Sequence, residues 1–252
     1  VNVLSLFDGM SGGQLALRRA GFHPTYYACE IDKYAIMATQ HNFPYTIQLG
    51  DITKYQPWLI VDLVIAGSPC QDLSGLKNGA GLNGNKSRLF FEFVRILKQT
   101  QPKYFLLENV VPRKKEWKDQ IDRILGVEGI LINSDRFVRQ NRPRIYWTNI
   151  PIEELPKRPR WRTQYYQYRR TYFRENKSGV CPCLTANMGT GGHNVPLKSQ
   201  NLDDRLTPKE CLELQGFPKN YLDLDISNTQ KYKMIGNSFT VPVISHILKG
   251  IK

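Results

Sequence analysis

The first 150 residues alternate short apolar, β-rich runs with longer stretches of helical periodicity. VNVLSLF (1–7) reads as a buried strand and GGQLALRRAG (12–21) as the helix after it. TYYACEID (25–32) and KYAIMATQHN (33–42) repeat that order, and TIQLGDI (46–52) and DLVIAGS (62–68) predict a third and a fourth strand. In LFFEFVRILKQTQ (89–101), apolar residues at 89, 90, 93, 94 and 97 form a helical stripe. KYFLLENV (103–110) is a fifth strand, and WKDQIDRILG (117–126) is a helix closed by Gly. GILINSDRFV (129–138) and RIYWTNI (144–150) are two further strands. This alternation predicts an α/β fold, a mostly parallel sheet with helices on both faces. Ligands then bind at the carboxyl ends of the strands.

The pattern changes after Pro151. Three prolines fall within 151–160, and Lys157, Arg158, Arg160, Arg162, Arg169, Arg170, Arg174 and Lys177 follow with Glu175 as the sole acid in 157–177. Trp161, Tyr165, Tyr166, Tyr168, Tyr172 and Phe173 are interleaved with them. The mixture suits phosphate contacts plus stacking or groove packing; the alternative is a solvated loop whose aromatics pack on the main domain. TPKECLELQG (207–216) predicts a capped helix, with Thr207 at the N-cap, Pro208 at N1 and Glu210 at N3. SFTVPVISHILKGI (238–251) is a last apolar element, helical after Pro242.

Charge sharpens this picture. The 252 residues carry 35 Lys and Arg against 22 Asp and Glu, a net charge of +13. An excess of that size points to a polyanionic partner, most often nucleic acid. A chain this long buries roughly three quarters of its unfolded surface and needs no disulfide or metal staple. No apolar run reaches the ~18 residues of a membrane span, and the opening does not read as a signal peptide. The sequence starts at Val1 without Met, as a trimmed or mature form would. Five cysteines (29, 70, 181, 183, 211) form no disulfide framework, C-P-C at 181–183 is not a zinc spacing, and a reducing, intracellular compartment is expected.

Candidate chemistry collects at the strand ends. FDGMSGG (7–13) follows the first strand, and its glycines allow close backbone approach to a ligand. It is not G-x-G-x-x-G, and Asp8 would repel a pyrophosphate, which disfavours a nicotinamide cofactor. Glu30, ending the second strand, can accept ribose hydroxyls, and Asp51, ending the third, an adenine amino hydrogen. Each is equally at home as a helix or turn cap. In GSPCQDLS (67–74), Cys70 is a candidate nucleophile held by Pro69; the commoner state of a free Cys is buried and inert. The Gly-rich, basic stretch 71–88 that follows reads as a lid. Glu108 in LLENV ends the fifth strand beside the fourth and faces the Cys70 site. QNRPR supplies Arg142 and Arg144, one of which can hold a phosphate or Glu108; the alternative is a surface ion pair.

FDGMSGG, PCQ, ENV, QNRPR, RLTPKECLELQGFP (205–218) and GNSFTVP (236–242), in that order, resemble the motifs of the DNA cytosine-5 methyltransferases over nearly the whole chain. SRLFFEF (87–93) is similar to eukaryotic de novo enzymes and to some bacterial or phage enzymes, whereas QNRPRIYWTN and LTPKECLELQGFP lean to the bacterial or phage type. The resemblance implies a Rossmann-like methyltransferase sheet with a small target-recognition lobe: 1–150 plus 232–252 catalytic, 151–231 recognition. The lobe's basic segment is short for the family. It implies S-adenosylmethionine as cofactor, over Phe7, Asp8, Gly9 and Gly12, with Glu30 and Ile31 at the ribose and Asp51 and Ile52 at the adenine. Pro69 and Leu89 line that pocket, and Asn237 and Ser238 close it.

The same resemblance makes Cys70 the nucleophile, Glu108 the group at cytosine N3 and Arg142 the group orienting the base, with Arg144 beside it. Double-stranded DNA is the implied partner, met by Gln71, Ser74, Arg88, Arg162, Arg169 and Arg170, with no metal and no membrane. A cytosine flipped out of the duplex is the implied reacting base, in restriction–modification or a related setting. Three other readings are a transfer-RNA cytosine-5 methyltransferase, a catalytically silent DNA-binding regulator, and, weakest, a nicotinamide oxidoreductase.

Overall fold

A computed structural model describes residues 1–68, 88–169, 171–190 and 195–252. The chain runs β1 (Asn2–Leu6), α1 (Gly12–Arg19), β2 (Thr25–Cys29), α2 (Lys33–Asn42), β3 (Ile47–Gln48), β4 (Leu63–Gly67), α3 (Arg88–Thr100), β5 (Tyr104–Val110), α4 (Lys115–Leu125), β6 (Ile130–Asn133) and β7 (Pro143–Thr148). It continues through β8 (Tyr166–Tyr168), β9 (Phe173–Glu175), α5 (Pro208–Leu214), α6 (Asn228–Asn237) and α7 (Val241–Leu248).

Successive side chains of a strand point to opposite faces, which sorts the apolar residues into two layers. Val3, Leu63, Ile65 and Leu106 pack with α1, α2 and α7 through Leu17, Ala35, Ala38 and Ile244. Leu4, Leu6, Val64, Ala66 and Leu107 pack on the other face with α3 and α4 through Phe90, Phe93, Ile96 and Ile121. Seven strands form one sheet in the order β3-β2-β1-β4-β5-β7-β6. Strands β1 to β5 pair in parallel, whereas β7 runs antiparallel to both β5 and β6. The α/β sheet covered on both faces is thus as the patterning predicts.

Differences lie at element ends. The third strand is only two residues long, because the chain turns at Gly50 and Asp51 folds back onto Thr53. The sixth stops at Asn133, whose side chain caps a 3-10 turn over Ser134–Arg136. The helix over Asn228–Asn237 is not predicted by the sequence pattern, and α7 carries Pro242 in its first turn. The Thr207–Glu210 capping box forms as the sequence predicts.

Beyond β7, the only regular strands among the described residues are the hairpin β8–β9. Its surroundings do not form a separate core: Tyr165, Cys181, Leu184, Met188 and Leu206 share the apolar cluster of Val3, Leu17 and Ile244. Three of the six aromatics expected to stack on a ligand serve as anchors instead. Tyr165 and Tyr166 are buried, and Trp161 Nε1 donates to Asp135 O at 2.8 Å. Tyr172 stands out in solvent.

Buried polar side chains tie the distant segments together. Gln140 Nε2 donates to Leu214 O (3.0 Å) and Gln215 Oε1 (3.1 Å), and Thr240 Oγ1 donates to the same oxygen at 2.8 Å. Gln215 Nε2 in turn donates to Ile235 O at 3.0 Å. Gly236 completes the junction, since a Cβ there would lie 2.2 Å from the Thr185 carbonyl carbon. Only glycine admits so close a backbone approach.

The β1–α1 turn is built around one buried carboxylate. Phe7, Gly9 and Ser11 all adopt left-handed backbone, with φ of 58°, 60° and 58°. For a bulky residue such as Phe7 that conformation is an outlier costing about 1–2 kcal/mol. Asp8 holds the turn from below: Ser11 Oγ and Tyr26 OH both donate to it, the latter at 2.8 Å. Its carboxyl therefore points into the core rather than at a ligand. Burial raises its pKa from 3.8 to about 6, against the hydrogen bonds, which lower it.

Two outcomes follow from these buried groups. In Gln215→Leu, Ile235 O, Gln140 Nε2 and Thr240 Oγ1 lose a partner; at about 1–3 kcal/mol for an unmet buried group, urea unfolding should show a loss near 3 kcal/mol. A loss under about 1 kcal/mol would mean that they find other partners. For Asp8, the unfolded chain releases its proton near 3.8 and the folded one near 6, so the folded state holds more protons in between. Its contribution is most favourable below the lower value, falls by about 3 kcal/mol across that window, and is level above it. Asp8→Asn lacks this dependence, so its stability relative to wild type should climb between pH 4 and pH 6; a flat difference in urea titrations would refute the burial argument.

Candidate active site

The carboxyl ends of β1, β2, β4 and β5 open on one cleft of about 550 Å³. Phe7 and Gly9 line it after β1, Glu30, Ile31 and Asp32 after β2, and Asp51 and Ile52 after the short β3. Leu89, Glu108 and Arg144 face it from α3, β5 and β7, Arg142 from just before β7, and Lys233 and Asn237 from α6. The sheet thus gathers most of the residues singled out in the sequence. Asp8, Gly12 and Ser238 lie behind the wall: Gly12 packs against Phe217 and Phe239, and Ser238 Oγ donates to Ile235 O at 2.8 Å. Pro69, Cys70, Gln71, Ser74, Arg170 and all but the last residue of the 71–88 lid lie outside the described residues.

The acidic end of the cleft is ordered by backbone amides. Glu30 Oε2 accepts from Gly9 N at 2.7 Å, and Oε1 accepts from Ile31 N and Asp32 N at 2.7 and 2.8 Å. A carboxylate offers about four acceptor positions, so one remains for a ligand hydroxyl rather than two. Gly9 presents open space on its cleft side, where a Cβ would meet nothing within 4 Å. Asp51 Oδ1 accepts from Thr53 N (2.9 Å) and Thr53 Oγ1 (2.8 Å), which lowers its pKa. Its Oδ2 has no partner among the described residues and is available to a ligand's N–H. Lys233 Nζ meets Asp32 Oδ2 at 2.6 Å, joining α6 to the start of α2. The sequence did not signal that bridge, whose partners are 201 residues apart.

The other end holds a carboxylate–guanidinium pair. Glu108 lies opposite Gly67 of β4 and Tyr146 of β7 in the sheet register. Arg144 Nε stands 3.1 Å from Glu108 Oε1, both side chains being largely buried. Burial works against the Arg144 charge, but the Glu108 carboxylate outweighs it, and the guanidinium holds its proton more firmly than an ordinary arginine. Arg142, two residues away, is spent on backbone. Its Nη1 donates to Leu184 O (2.8 Å), and its Nη2 donates to Gly236 O (3.0 Å) and Ser238 O (2.9 Å). The arginine paired with the acid is therefore Arg144, and Arg142 is a clamp on the wall. Spacing alone could not separate them, because both line the same cleft.

Cys183, also unforeseen, stands beside both arginines, with Sγ 3.6 Å from Arg142 Nη1 and 3.9 Å from Arg144 Nη2. Of the basic segment, Lys157, Arg160, Arg162, Arg169, Arg174 and Lys177 are exposed, as is Arg88 at the start of α3. Arg158, though exposed, is committed to Asp135 through a 2.6 Å ion pair. Among the described residues, no group of three or more His, Cys, Asp or Glu is arranged to hold a metal, and no helix is long and apolar enough to cross a membrane.

The C-5 cytosine-specific DNA methylase family matches residues 1–150 and 114–252. The chain is 31% identical to the type II methyltransferase M.Bsp6I of Bacillus sp. (strain RFL6), over 100% of this chain and 98% of that one. It is 29% identical to the type II methyltransferase M1.ScrFI of Lactococcus lactis subsp. cremoris, over 97% of this chain and 76% of the relative. Among solved structures, a DNA modification methyltransferase encoded within an E. coli prophage superposes with a TM-score of 0.74 at 19% identity, covering 99% of this chain and 98% of the other. Spodoptera frugiperda DNMT2, as a triple mutant, superposes with a TM-score of 0.70 at 22% identity, again over 99% and 98%. The fold is that of these methyltransferases, and the chain belongs to the C-5 cytosine-specific DNA methylase family of enzymes.

Proposed function

We propose that this enzyme transfers a methyl group from S-adenosylmethionine to C5 of cytosine in double-stranded DNA, through covalent addition of Cys70 to C6. The observation that carries this reading is the Glu108–Arg144 pair, 3.1 Å apart, on the wall of a cleft whose far end presents Glu30 and Asp51. Carboxylates at that end suit the hydroxyl and amino hydrogens of a nucleoside and disfavour phosphate. Phe7, Ile31, Ile52 and Leu89 supply apolar surface in the same cleft, and the donor set fits S-adenosylmethionine. When bound, the cofactor supplies a methyl group activated by a sulfonium charge. Glu30 would take one ribose hydroxyl, Asp51 the adenine amino group, and Asn237 would border the opening from α6.

Cytosine C5 is a poor nucleophile until the ring is activated. The Cys70 thiolate forms the S–C6 bond, and the C5–C6 π pair shifts toward C5 while Glu108 donates a hydrogen bond or proton at N3. C5 would then bond the methyl carbon as the S–CH3 bond breaks, its electron pair staying on the cofactor sulfur to leave a neutral thioether. Loss of the C5 proton to solvent water returns its bonding pair to C5–C6, and Cys70 departs as thiolate. Arg144 rather than Arg142 meets the base in this reading, which is supported by its Nη2 having only the Cys183 sulfur as partner among the described residues. The reacting base must leave the duplex stack to reach this wall. Residues 151–231 act as the target-recognition lobe and 1–150 with 232–252 as the catalytic part. Arg162, Arg169 and Arg170 meet phosphates, with Arg88, Gln71 and Ser74 on the side of α3 and the segment before it.

Bisulfite sequencing of DNA from cells producing the enzyme should reveal 5-methylcytosine in a defined context, and Cys70→Ser should abolish it while retaining cofactor binding. Glu108→Gln keeps the side chain's size and a hydrogen bond but cannot deliver a proton. Its single-turnover rate should fall about 10²–10⁴-fold with DNA and cofactor saturating; a wild-type rate would remove Glu108 from the activation step. For DNA contacts, Arg162→Ala with Arg169→Ala should make the slope of log K against log salt shallower by up to about two, at −0.9 per phosphate contact. An unchanged slope would make this segment a solvated face.

A further inference from the structure

Cys183 is used neither by the proposed chemistry nor by the core. It is half-buried, and its sulfur sits beside two guanidiniums, Arg142 just before β7 and Arg144 within it. Arg144 is held at three points: Nε on Glu108 Oε1 at 3.1 Å, Nη1 on Pro143 O at 2.9 Å and Nη2 toward Cys183 Sγ at 3.9 Å. Arg142 is immobilised by three carbonyls, so it fixes the position of the sulfur rather than the reverse. The sulfur also lies 3.6 Å from Leu184 O. As a thiol it can donate to that carbonyl; as a thiolate it can only accept, and both arginines then become its donors.

We propose that Cys183 is a positioning residue for the reaction, its sulfur fixing the plane of the Arg144 guanidinium so that Nε stays on Glu108 and the remaining donor edge faces the base. This inference rests on the methyl-transfer reading and assigns the sulfur no contact with substrate. The groups facing it make the sulfur easier to ionise than an ordinary thiol. Burial pushes the thiol pKa up, but Arg142 and Arg144 outweigh that and lower it. The neighbouring thiol of Cys181 goes the other way, its pKa raised by burial, and stays protonated. Glu108 faces Arg144 from the other side. An arginine between two acceptors is held from both sides, whereas loss of one lets it swing toward the other.

The test uses the full enzyme with unmethylated genomic DNA and labelled S-adenosylmethionine. Cys183→Ala should lower kcat about tenfold with KM for the cofactor within about twofold, because the misplacement is at the base and not at the nucleoside end. Cys183→Ser, neutral but still an acceptor, should recover part of the loss. The ratio of wild-type to Cys183→Ala rate should grow as pH rises through the titration of this thiol and level off above it. A second arm needs no turnover: peptide-mapped alkylation of Cys183 by iodoacetamide at neutral pH should slow in Arg144→Gln. A wild-type kcat and parallel pH profile in Cys183→Ala, or alkylation indifferent to Arg144→Gln, overturns the proposal. Failure of the wild-type enzyme to methylate any DNA would instead overturn the methyl-transfer reading, and the alkylation arm would still decide whether sulfur and guanidinium are coupled.

Discussion

The site depends on a set of buried hydrogen bonds that let segments far apart in sequence share one wall. Arg142 bonds the carbonyls of Leu184, Gly236 and Ser238, and Gln215 bonds Gln140, Thr240 and Ile235. These groups could not be left unmet in the interior without large cost. They convert a local requirement, that buried polar atoms be satisfied, into a global one. The β5–β7 edge, the 183–186 segment and the α6–α7 junction must meet at one point. Gly236 makes the meeting sterically possible and the arginine makes it favourable.

That junction explains why a mainly apolar scaffold places charged groups accurately. Strand register sets Glu108 against Gly67 and Tyr146, and Arg144 in β7 and Arg142 just before it both line the cleft. Once Arg142 is committed to carbonyls, Arg144 is the guanidinium left for the acid. At the opposite end of the cleft the same economy operates with amides in place of arginine. Glu30 is aimed by three backbone N–H groups and Asp8 by two hydroxyls below the turn. The carboxylates at this end thus have different tasks: Asp8 is structural, and Glu30 and Asp51 face the cleft.

Much of this was legible in the sequence where the signal was local. The strand–helix alternation, the Thr207 capping box and the position of Glu108 at a strand end beside β4 all depend on neighbouring residues. What could not be read depends on partners far away. Helix α6 has weak apolar periodicity and is fixed at its start by Ser227 and near its end by Gly236 against 185–186. Arg142 and Arg144 are indistinguishable without the carbonyls that claim one of them. The interleaved aromatics of 157–177 read as a stacking surface, but Tyr165 and Tyr166 are buried and Trp161 donates to Asp135 O, so these three hold the segment to the rest of the protein. The position of Cys183 beside both arginines likewise follows only from the junction.

The span of these contacts bears on how the molecule comes into being. Tyr221 OH bonds Met10 O across 211 residues, and Arg142 reaches Ser238 across 96. During synthesis the chain emerges from its N-terminal end, and early segments begin folding before later ones exist. The sheet through β7 can pair while the later segments are still being made, yet the wall beside Arg142 stays open until Gly236 and Ser238 arrive. A nascent chain therefore carries both Cys70 and Glu108 long before it has a closed cleft around them. The order in which the chain is made is therefore also the order in which the cleft is walled, with the α6–α7 junction last.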